Sequence, residues 1–316
     1  MTHELFPDMP NTPINGIVTP ASVFLDNTHL VDDVLAHSNL RDIVSFACSS
    51  ECNATLAHLY LQQHLKNIVK PFFDKPEPFM EMLRTCKTVI SGSTALHYLL
   101  GTSTPWSPTD LNLYTPHSHM HQLITLMNNQ GYHVVHQGRI DNSLYMYSKI
   151  STVVSLSNSD RDIDVIVCKM FAGLPPVFQF HSTAVMNFIS PDRIFCAYPA
   201  LTFRGLSMIN PGPLYMGRRG RNTFNALQKY EDRGFRYIEC AEAHQFKFSC
   251  KNLPRTLTDG HGMWVDFKSL PRVSVFSADV FAQYGCLNVC WLLGGMVCDM
   301  EGGFVLPRVS VIEDAS

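Results

Sequence analysis

The sequence predicts an α+β protein, in which a mixed sheet with flanking helices follows an N-terminal unit of about three helices. Two observations lead to this fold class. Apolar residues recur at helical spacing over residues 24–70, and beyond residue 79 short strand-like runs alternate with helical segments. Because the 316 residues are 46% hydrophobic, the chain can bury a sizeable core, and whole-chain disorder is excluded.

Charge and cysteine spacing exclude several classes of protein. The 24 Lys and Arg residues against 27 Asp and Glu residues give a net charge of −3, which excludes a global basic field for nucleic acid. None of the 10 cysteines forms a CxxC pair, so neither a zinc ribbon nor a thioredoxin-like site is expected. Residues 1–20 lack a secretory signal, and the most apolar stretch, residues 286–298, is too short to span a bilayer. We therefore expect an intracellular protein, cytoplasmic or nuclear, with no membrane partner.

The sequence pattern of the N-terminal part of the chain predicts a tail followed by helices. Residues 1–23 are rich in Pro, Asn and Thr and predict a disordered tail. Amphipathic stripes follow within residues 24–70, with apolar residues three or four apart. Pro71 ends the last of these helices, and the sequence Lys-Pro-Glu-Pro at residues 75–78 is typical of a linker.

The sequence pattern of residues 79–200 predicts a domain that contains the sheet. The expected strands are 88–90, 110–114, 150–156 and 163–167, and the expected helices are 95–100 and 120–127. Strict alternation puts Asp110, Asn112 and Tyr114 on one face of their strand. We expect the sheet to end near residue 200.

Residues 201–316 are expected to form an accessory region packed on that domain. The pattern predicts a helix at 224–230 and strands at 272–276 and 304–311. Six basic residues also fall between positions 218 and 236. They suit a triphosphate or an RNA end, whereas the acidic residues among them favour a solvated surface.

The residues best suited to chemistry lie at three points of the sheet-bearing domain. Gly92 and Ser93 stand between a strand and a helix, where backbone N–H groups and a hydroxyl can bind phosphate. Asp110 and Asn112 follow on the next strand, and Asp164 lies on a later one. Carboxylates that share a face of neighbouring strands can hold divalent cations and orient an attacking hydroxyl.

In this order, the motifs of residues 86–168 resemble the nucleotidyltransferase fold of the polymerase-beta-like superfamily. That family has a hydrophobic strand, Gly-Ser or Gly-Gly, a helix, an Asp-x-Asp strand and a later single acid. The resemblance implies that Gly92 and Ser93 bind a nucleoside triphosphate, and that Asp110 and Asp164 are catalytic carboxylates and magnesium ligands.

The chain departs from that family at Asn112, where the family has its second strand acid. A carboxamide is neutral and cannot bridge two magnesium ions, so the missing anion removes transition-state stabilisation. We therefore favour a non-catalytic protein without a cofactor, in which Asp110 and Asp164 are vestigial. The alternative stays open: an active nucleotidyltransferase that uses these carboxylates and magnesium to transfer a nucleotide to a small molecule or an RNA.

A second resemblance concerns residues 40–53, Leu-Arg-Asp-Ile-Val-Ser-Phe-Ala-Cys-Ser-Ser-Glu-Cys-Asn, which are similar to the centre of an F-box. The Leu-Pro opening of that family is replaced by Leu-Asp-Asn at residues 25–27. The resemblance implies that the helical segment docks to a Skp-type adaptor of a cullin ubiquitin ligase through Leu40, Ile43 and Val44, while the rest of the chain selects a target for ubiquitination. An ordinary helical cap packed on the sheet is the open alternative.

The F-box-like and nucleotidyltransferase-like stretches occur together in a set of uncharacterised proteins from mushroom-forming fungi, which residues 24–236 resemble. The segments that carry this resemblance, besides the F-box-like one, are 89–96, 110–116, 163–167 and 180–187. The resemblance implies an architecture and gives no activity.

Overall fold

The computed structural model describes residues 27–139, 148–211, 220–239, 250–251, 253–267, 270, 283–286, 288–296 and 304–312. Within them the chain is an α+β fold, as predicted. Its helices are α1 (Thr28–Ala36), α2 (Leu40–Ala47), α3 (Glu51–Val69), α4 (Pro76–Thr85), α5 (Ser93–Leu100), α6 (Met120–Asn128), α7 (Pro199–Thr202) and α8 (Gly220–Asp232). Short 3-10 turns lie at His117–His119, Pro175–Gln179 and Thr183–Val185.

An eight-stranded mixed sheet forms the centre of this fold. Its strands are β1 (Val89–Ser91), β2 (Leu111–Pro116), β3 (His133–Arg139), β4 (Ile150–Ser157), β5 (Asp162–Cys168), β6 (Asn187–Ile189), β7 (Arg193–Cys196) and β11 (Met263–Asp266). They lie in the order β11-β7-β6-β1-β2-β5-β4-β3. Strands β2 and β5 run parallel, and the other neighbouring pairs of this sheet are antiparallel.

Smaller sheets complete the described part of the chain. Their strands are β8 (Leu206–Met208), β9 (Arg236–Ile238), β10 (Arg255–Thr256), β12 (Asn288–Leu292), β13 (Gly295–Met296), β14 (Phe304–Val305) and β15 (Arg308–Ile312). Strands β10, β12 and β15 form a three-stranded sheet, β13 pairs with β14, and β8 pairs with β9.

Helices α1 to α3 lie within residues 24–70, where the amphipathic stripes predict helices. Each begins at a polar residue whose side chain accepts a backbone N–H of the first turn: Asn27, Asn39 and Ser50. Their apolar stripes are buried in one cluster with residues of the central sheet, such as Leu113 and Val165. The helical unit and the sheet therefore share a hydrophobic core.

The predicted linker at residues 75–78 is wrong, because helix α4 begins at Pro76. Proline suits the first turn of a helix, where its fixed φ is helical and its missing N–H has no intrahelical partner. Phe79, Met82 and Leu83 then bury one face of the helix. The Pro-rich segment is thus a helix start that packs into the core.

The sheet also extends beyond its predicted end near residue 200, because β11 pairs antiparallel with β7. The accessory region therefore supplies an edge strand to the central sheet. The predicted helix at 224–230 is confirmed within α8, and the predicted strand at 304–311 is two strands, β14 and β15. The predicted strand at 272–276 and the predicted tail at 1–23 lie outside the described residues.

The two faces of the central sheet are covered differently. Helices α1 to α4 pack on the face that carries Leu111 and Val165. The opposite face carries aromatic residues, among them Phe188, Phe195 and Trp264, and packs against Trp291 of the three-stranded sheet. In the part of the chain that the structure describes, no helix combines the length and the apolar character needed to cross a membrane.

Candidate functional site

The Gly92-Ser93 turn joins strand β1 to helix α5. Gly92 has φ +71° and ψ −140°, a left-handed conformation that favours glycine. A Cβ at this position would lie 3.4 Å from Nδ2 of Asn112, so the turn approaches the Asn112 side chain closely. The Ser93 hydroxyl is buried and has no hydrogen-bond partner among the described residues. No side chain caps the first turn of α5, whose N–H groups therefore lack that kind of acceptor.

Asp110 directly precedes strand β2, Asn112 is the second residue of that strand, and their side chains form a hydrogen bond. Nδ2 of Asn112 donates to Oδ2 of Asp110 at 3.0 Å. The backbone carbonyl of Asp110 accepts from the hydroxyl of Thr94 at 3.2 Å, which ties the strand to helix α5. The amide thus occupies one oxygen of the carboxylate that the sequence singles out as a metal ligand.

Asp164 lies beside Asn112 on the neighbouring parallel strand. The register pairs Asn112 with Asp164 across β2 and β5, and Ser91 with Asn112 across β1 and β2. Because neighbouring strands lie ~4.8 Å apart, these positions form one row across the sheet, next to Gly92. The structure therefore brings the Gly-Ser turn, the amide and the later carboxylate close together.

Asp164 is engaged by a hydroxyl of the next strand. Oγ of Ser155 on β4 donates to Oδ1 of Asp164 at 2.6 Å. The period-two alternation along β4 could have indicated this residue, but nothing in the sequence sets the register of β4 against β5. Both candidate carboxylates thus accept hydrogen bonds from neutral groups of the chain itself.

The C-terminal helix α8 contributes to the surroundings of Asp110. Burial raises the pKa of Tyr230, whereas Arg233 lowers it and Asp110 raises it. Burial likewise raises the pKa of Tyr114, and interactions with Tyr230, Asp164 and Asp110 raise it further. Tyr230, near the end of α8, therefore lies within electrostatic range of Asp110, a proximity that the sequence does not indicate because α8 lies far along the chain.

Arg233, from the basic segment 218–236, lies beside Trp106, which belongs to the loop leading to Asp110. Its guanidinium lies 4.1 Å from the ring centroid of Trp106 and 5.2 Å from that of Tyr230. Its Nη1 atom is buried without a hydrogen-bond partner among the described residues. The basic run in the sequence signalled this residue, whereas Trp106 was missed. Residues 218 and 219 lie outside the described residues.

The geometry does not fit a two-magnesium centre. Such a centre needs carboxylates that bridge both ions, but here the neutral Asn112 bonds to Asp110 and lies beside Asp164. Among the described residues, no group of three or more His, Cys, Asp or Glu side chains is arranged to hold a metal.

The proposed docking residues of the helical segment are placed mainly inside the protein. Leu40 is 0% exposed and Ile43 is 3% exposed, and both belong to the core shared with the central sheet. Val44 is half-buried against the same core. The large apolar side chains that α1 leaves exposed are Leu30 and Val34. A partner that approaches the free chain therefore meets α1 rather than Leu40 or Ile43.

Comparisons with known proteins do not assign a function to this site. Comparison of the chain with protein-family models, with curated proteins and with solved structures finds no match in any of the three.

Proposed function

We propose that this protein is a non-catalytic interaction protein that carries a degenerate nucleotidyltransferase-like domain. The observation that carries the proposal is the 3.0 Å hydrogen bond from Asn112 to Asp110. A neutral amide donor faces the carboxylate at the point where the nucleotidyltransferase resemblance calls for a second anion. The site therefore satisfies its own charge with hydrogen bonds instead of presenting it to a cation.

The order and pairing of the elements support the nucleotidyltransferase-like part of this proposal. A strand leads through Gly92 into a helix, Asp110 directly precedes the next strand, which carries Asn112, and Asp164 follows on the parallel neighbour. The position of Asn112 beside Asp110 and Asp164 accounts for the loss of activity that we propose. With one anion fewer, the developing charge of phosphoryl transfer has no pair of cations to stabilise it.

A second candidate function is favoured by the Gly-Ser turn. The buried Ser93 hydroxyl has no partner among the described residues, and a buried hydroxyl left without a partner is a cost that a bound acceptor would remove. An active nucleotidyltransferase would place a phosphate there and use Asp110 and Asp164 to transfer a nucleotide to a small molecule or an RNA. We rank it second because Asn112 already bonds to Asp110.

Replacing Asn112 by aspartate tests the two functions. Without metal, Asn112→Asp is expected to lower the free energy of unfolding by ~1–3 kcal/mol, because Asp110 loses its donor and faces a like charge. Magnesium is expected to restore the melting temperature of this variant and to leave that of the wild type unchanged. Thermal melting with and without magnesium measures both effects.

Asn112→Ala is the matched control, because it removes the same hydrogen bond without adding charge and should show no response to magnesium. Pyrophosphate release is measured in parallel with each nucleoside triphosphate. We expect none from the wild type. Release by the wild type that Asp110→Ala abolishes would contradict the non-catalytic proposal and establish the enzyme.

We propose further that the helical segment docks a Skp-type adaptor, and through it a cullin, with the outer face of α1. Leu30 and Val34 are one turn apart on this face and are 46% and 51% exposed, whereas Val31 and Leu35 anchor the helix in the core. Exposed apolar residues one helical turn apart are a common anchor pattern for a partner groove. This docking proposal rests on one observation: Leu30 and Val34 are exposed, whereas the opposite face of α1 is buried.

Val34→Glu is expected to abolish recovery of the adaptor and the cullin in a pull-down, because a carboxylate would be desolvated at the contact. Leu59→Glu on α3 is the matched control, because Leu59 is also exposed but lies on another helix. Point variants are used because deleting the segment would open the core that it shares with the sheet. Equal recovery by the wild type and Val34→Glu, or no recovery of the adaptor by the wild type, would rule out docking through α1.

A further inference from the structure

Strand β3 forms one edge of the central sheet and is exposed to solvent. It stands at the end of the strand order, and among the described residues it pairs with β4 alone. Val135 is 65% exposed and Val134 is 43% exposed. Other residues of the strand are exposed as well: His133, His136 and Gln137. An edge strand presents unpaired N–H and C=O groups on its outer side, and here these groups lie beside exposed apolar side chains.

The opposite edge of the same sheet is covered. Strand β11 forms that edge, and three of its residues are buried: Trp264, Val265 and Asp266. Of the two edges of the central sheet, β3 is therefore the one that another chain can reach.

The sequence of β3 lacks the residues that commonly protect an edge strand. Lysine, proline and inward-pointing charges discourage pairing with another chain, but β3, His-Val-Val-His-Gln-Gly-Arg, contains no lysine, proline, aspartate or glutamate. The strand does carry a bulge, because its register against β4 shifts between Val134 and His136. A bulge interrupts pairing locally. The run from His136 to Arg139 keeps a regular register, so this part of the strand remains suited to pairing.

We propose that β3 pairs antiparallel with β3 of a second copy of this chain, about a two-fold axis near His136. His136 is the middle residue of the seven-residue strand, so full overlap of two copies places the axis there. Arg139 is the residue of β3 with a fixed charge. Antiparallel overlap separates the two copies of position 139 by six residues, or ~20 Å, which exceeds the Debye length of about 8 Å. Parallel pairing would instead place these like charges side by side.

A second copy suits this edge better than a charged partner does. Residues 133–138 include no Lys, Arg, Asp or Glu with which a charged peptide could form ion pairs. An identical strand brings two more valines, and covering Val134 and Val135 of both copies removes apolar surface from water. The pairing occupies the exposed edge of each copy, and the β11 edge is buried. Assembly is therefore expected to stop at the dimer. This inference does not depend on the proposed function.

Sedimentation velocity of the intact chain over a wide range of protein concentration tests the proposal. The wild type is expected to change from monomer to dimer as its concentration rises, with low affinity because one strand pair is smaller than a standard interface. Val135→Lys is expected to weaken dimerisation at least roughly tenfold, because both lysines would lie near the two-fold axis. Leu59→Lys is the matched control, because Leu59 on α3 is 58% exposed and should not affect dimerisation. Thermal melting checks that both variants fold.

Hydrogen exchange of the wild type tests the contact without any substitution. The backbone amides of β3 are expected to exchange more slowly at high than at low protein concentration, whereas those of α3 should not change. A wild type that stays monomeric at every concentration, or β3 amides that exchange equally at all of them, would overturn the proposal. So would a dimer that Val135→Lys leaves intact or that Leu59→Lys weakens equally. Growth of the assembly beyond the dimer would contradict the two-fold pairing.

Discussion

Replacing Arg255 by alanine is expected to lower the free energy of unfolding by about 3–5 kcal/mol, the cost of breaking a buried ion pair from one side. The Arg255 side chain is 2% exposed. Its guanidinium donates to the Asp259 carboxylate and to the Ala197 carbonyl, and it lies 4.8 Å from the ring centroid of Tyr198 and 5.5 Å from that of Trp291. The truncation would leave the Asp259 carboxylate without its cation and open a cavity between the rings. Chemical denaturation followed by tryptophan fluorescence measures the loss.

Arg84→Ala is the matched control, because Arg84 pairs with Glu81 and Asp192 while its side chain remains 42% exposed. Its cost should stay below ~1 kcal/mol. Arg255→Met combined with Asp259→Asn should recover part of the loss, because it leaves no buried charge unpaired. An Arg255→Ala variant as stable as Arg84→Ala would show that the aromatic cluster holds the C-terminal sheet without the ion pair.

The central elements are predictable because each has a local signal. The alternation from Asp110 to Tyr114 predicts a strand, and β2 occupies this place. Apolar residues at helical spacing after Met120 predict the helix that the structure shows as α6. Such signals depend only on the period of side chains along the chain. They are therefore readable wherever one face of an element is buried and the other is not.

Pairing between distant segments has no such signal. Nothing within Met263–Asp266 indicates that this segment joins Arg193–Cys196 as the edge of the central sheet, because strand pairing depends on the whole fold. The segment at Pro76 was predicted wrongly for a different reason, which is local. Proline is common both in linkers and at the first turn of helices, and only the burial of Phe79 and its neighbours decides between them.

Some features of the candidate site have a local signal in the sequence, and others do not. Gly92, Asn112 and Asp164 each have a local signal in the sequence, but their proximity depends on the pairing of β1, β2 and β5. The stacking of Arg233 on Trp106 was not predictable, since the two residues lie on segments far apart in the chain. The apolar stripe at Leu40 and Ile43 was ambiguous for a third reason: periodicity shows that a face is buried, but does not show whether the cover is a partner or the chain itself.

Acidification from pH 6.5 to pH 4 is expected to destabilise the protein by about 3 kcal/mol for each of His64 and His181. Burial lowers the pKa of His64 to about 4, with a smaller contribution from His97. Burial likewise lowers the pKa of His181 to about 4, with a smaller contribution from Lys229. Above pH 6.5 both imidazoles are neutral in the folded and unfolded states. Between pH 6.5 and pH 4 only the unfolded chain takes up the protons, so stability falls, and below pH 4 this loss is complete.

His64→Phe is expected to remove about half of this acid-induced loss and to leave the stability at pH 7 nearly unchanged. The His64 ring stacks between Tyr60 and Tyr98, with centroids 5.6 and 4.8 Å away, and its Nε2 atom is buried without a partner among the described residues. Phenylalanine keeps the stacked ring and deletes both the unpaired nitrogen and the proton uptake. His121→Phe, at an exposed position of α6, is the control. Urea denaturation at pH 7, 6, 5 and 4 gives the comparison, and a wild-type pH profile in His64→Phe would show that other groups cause the loss.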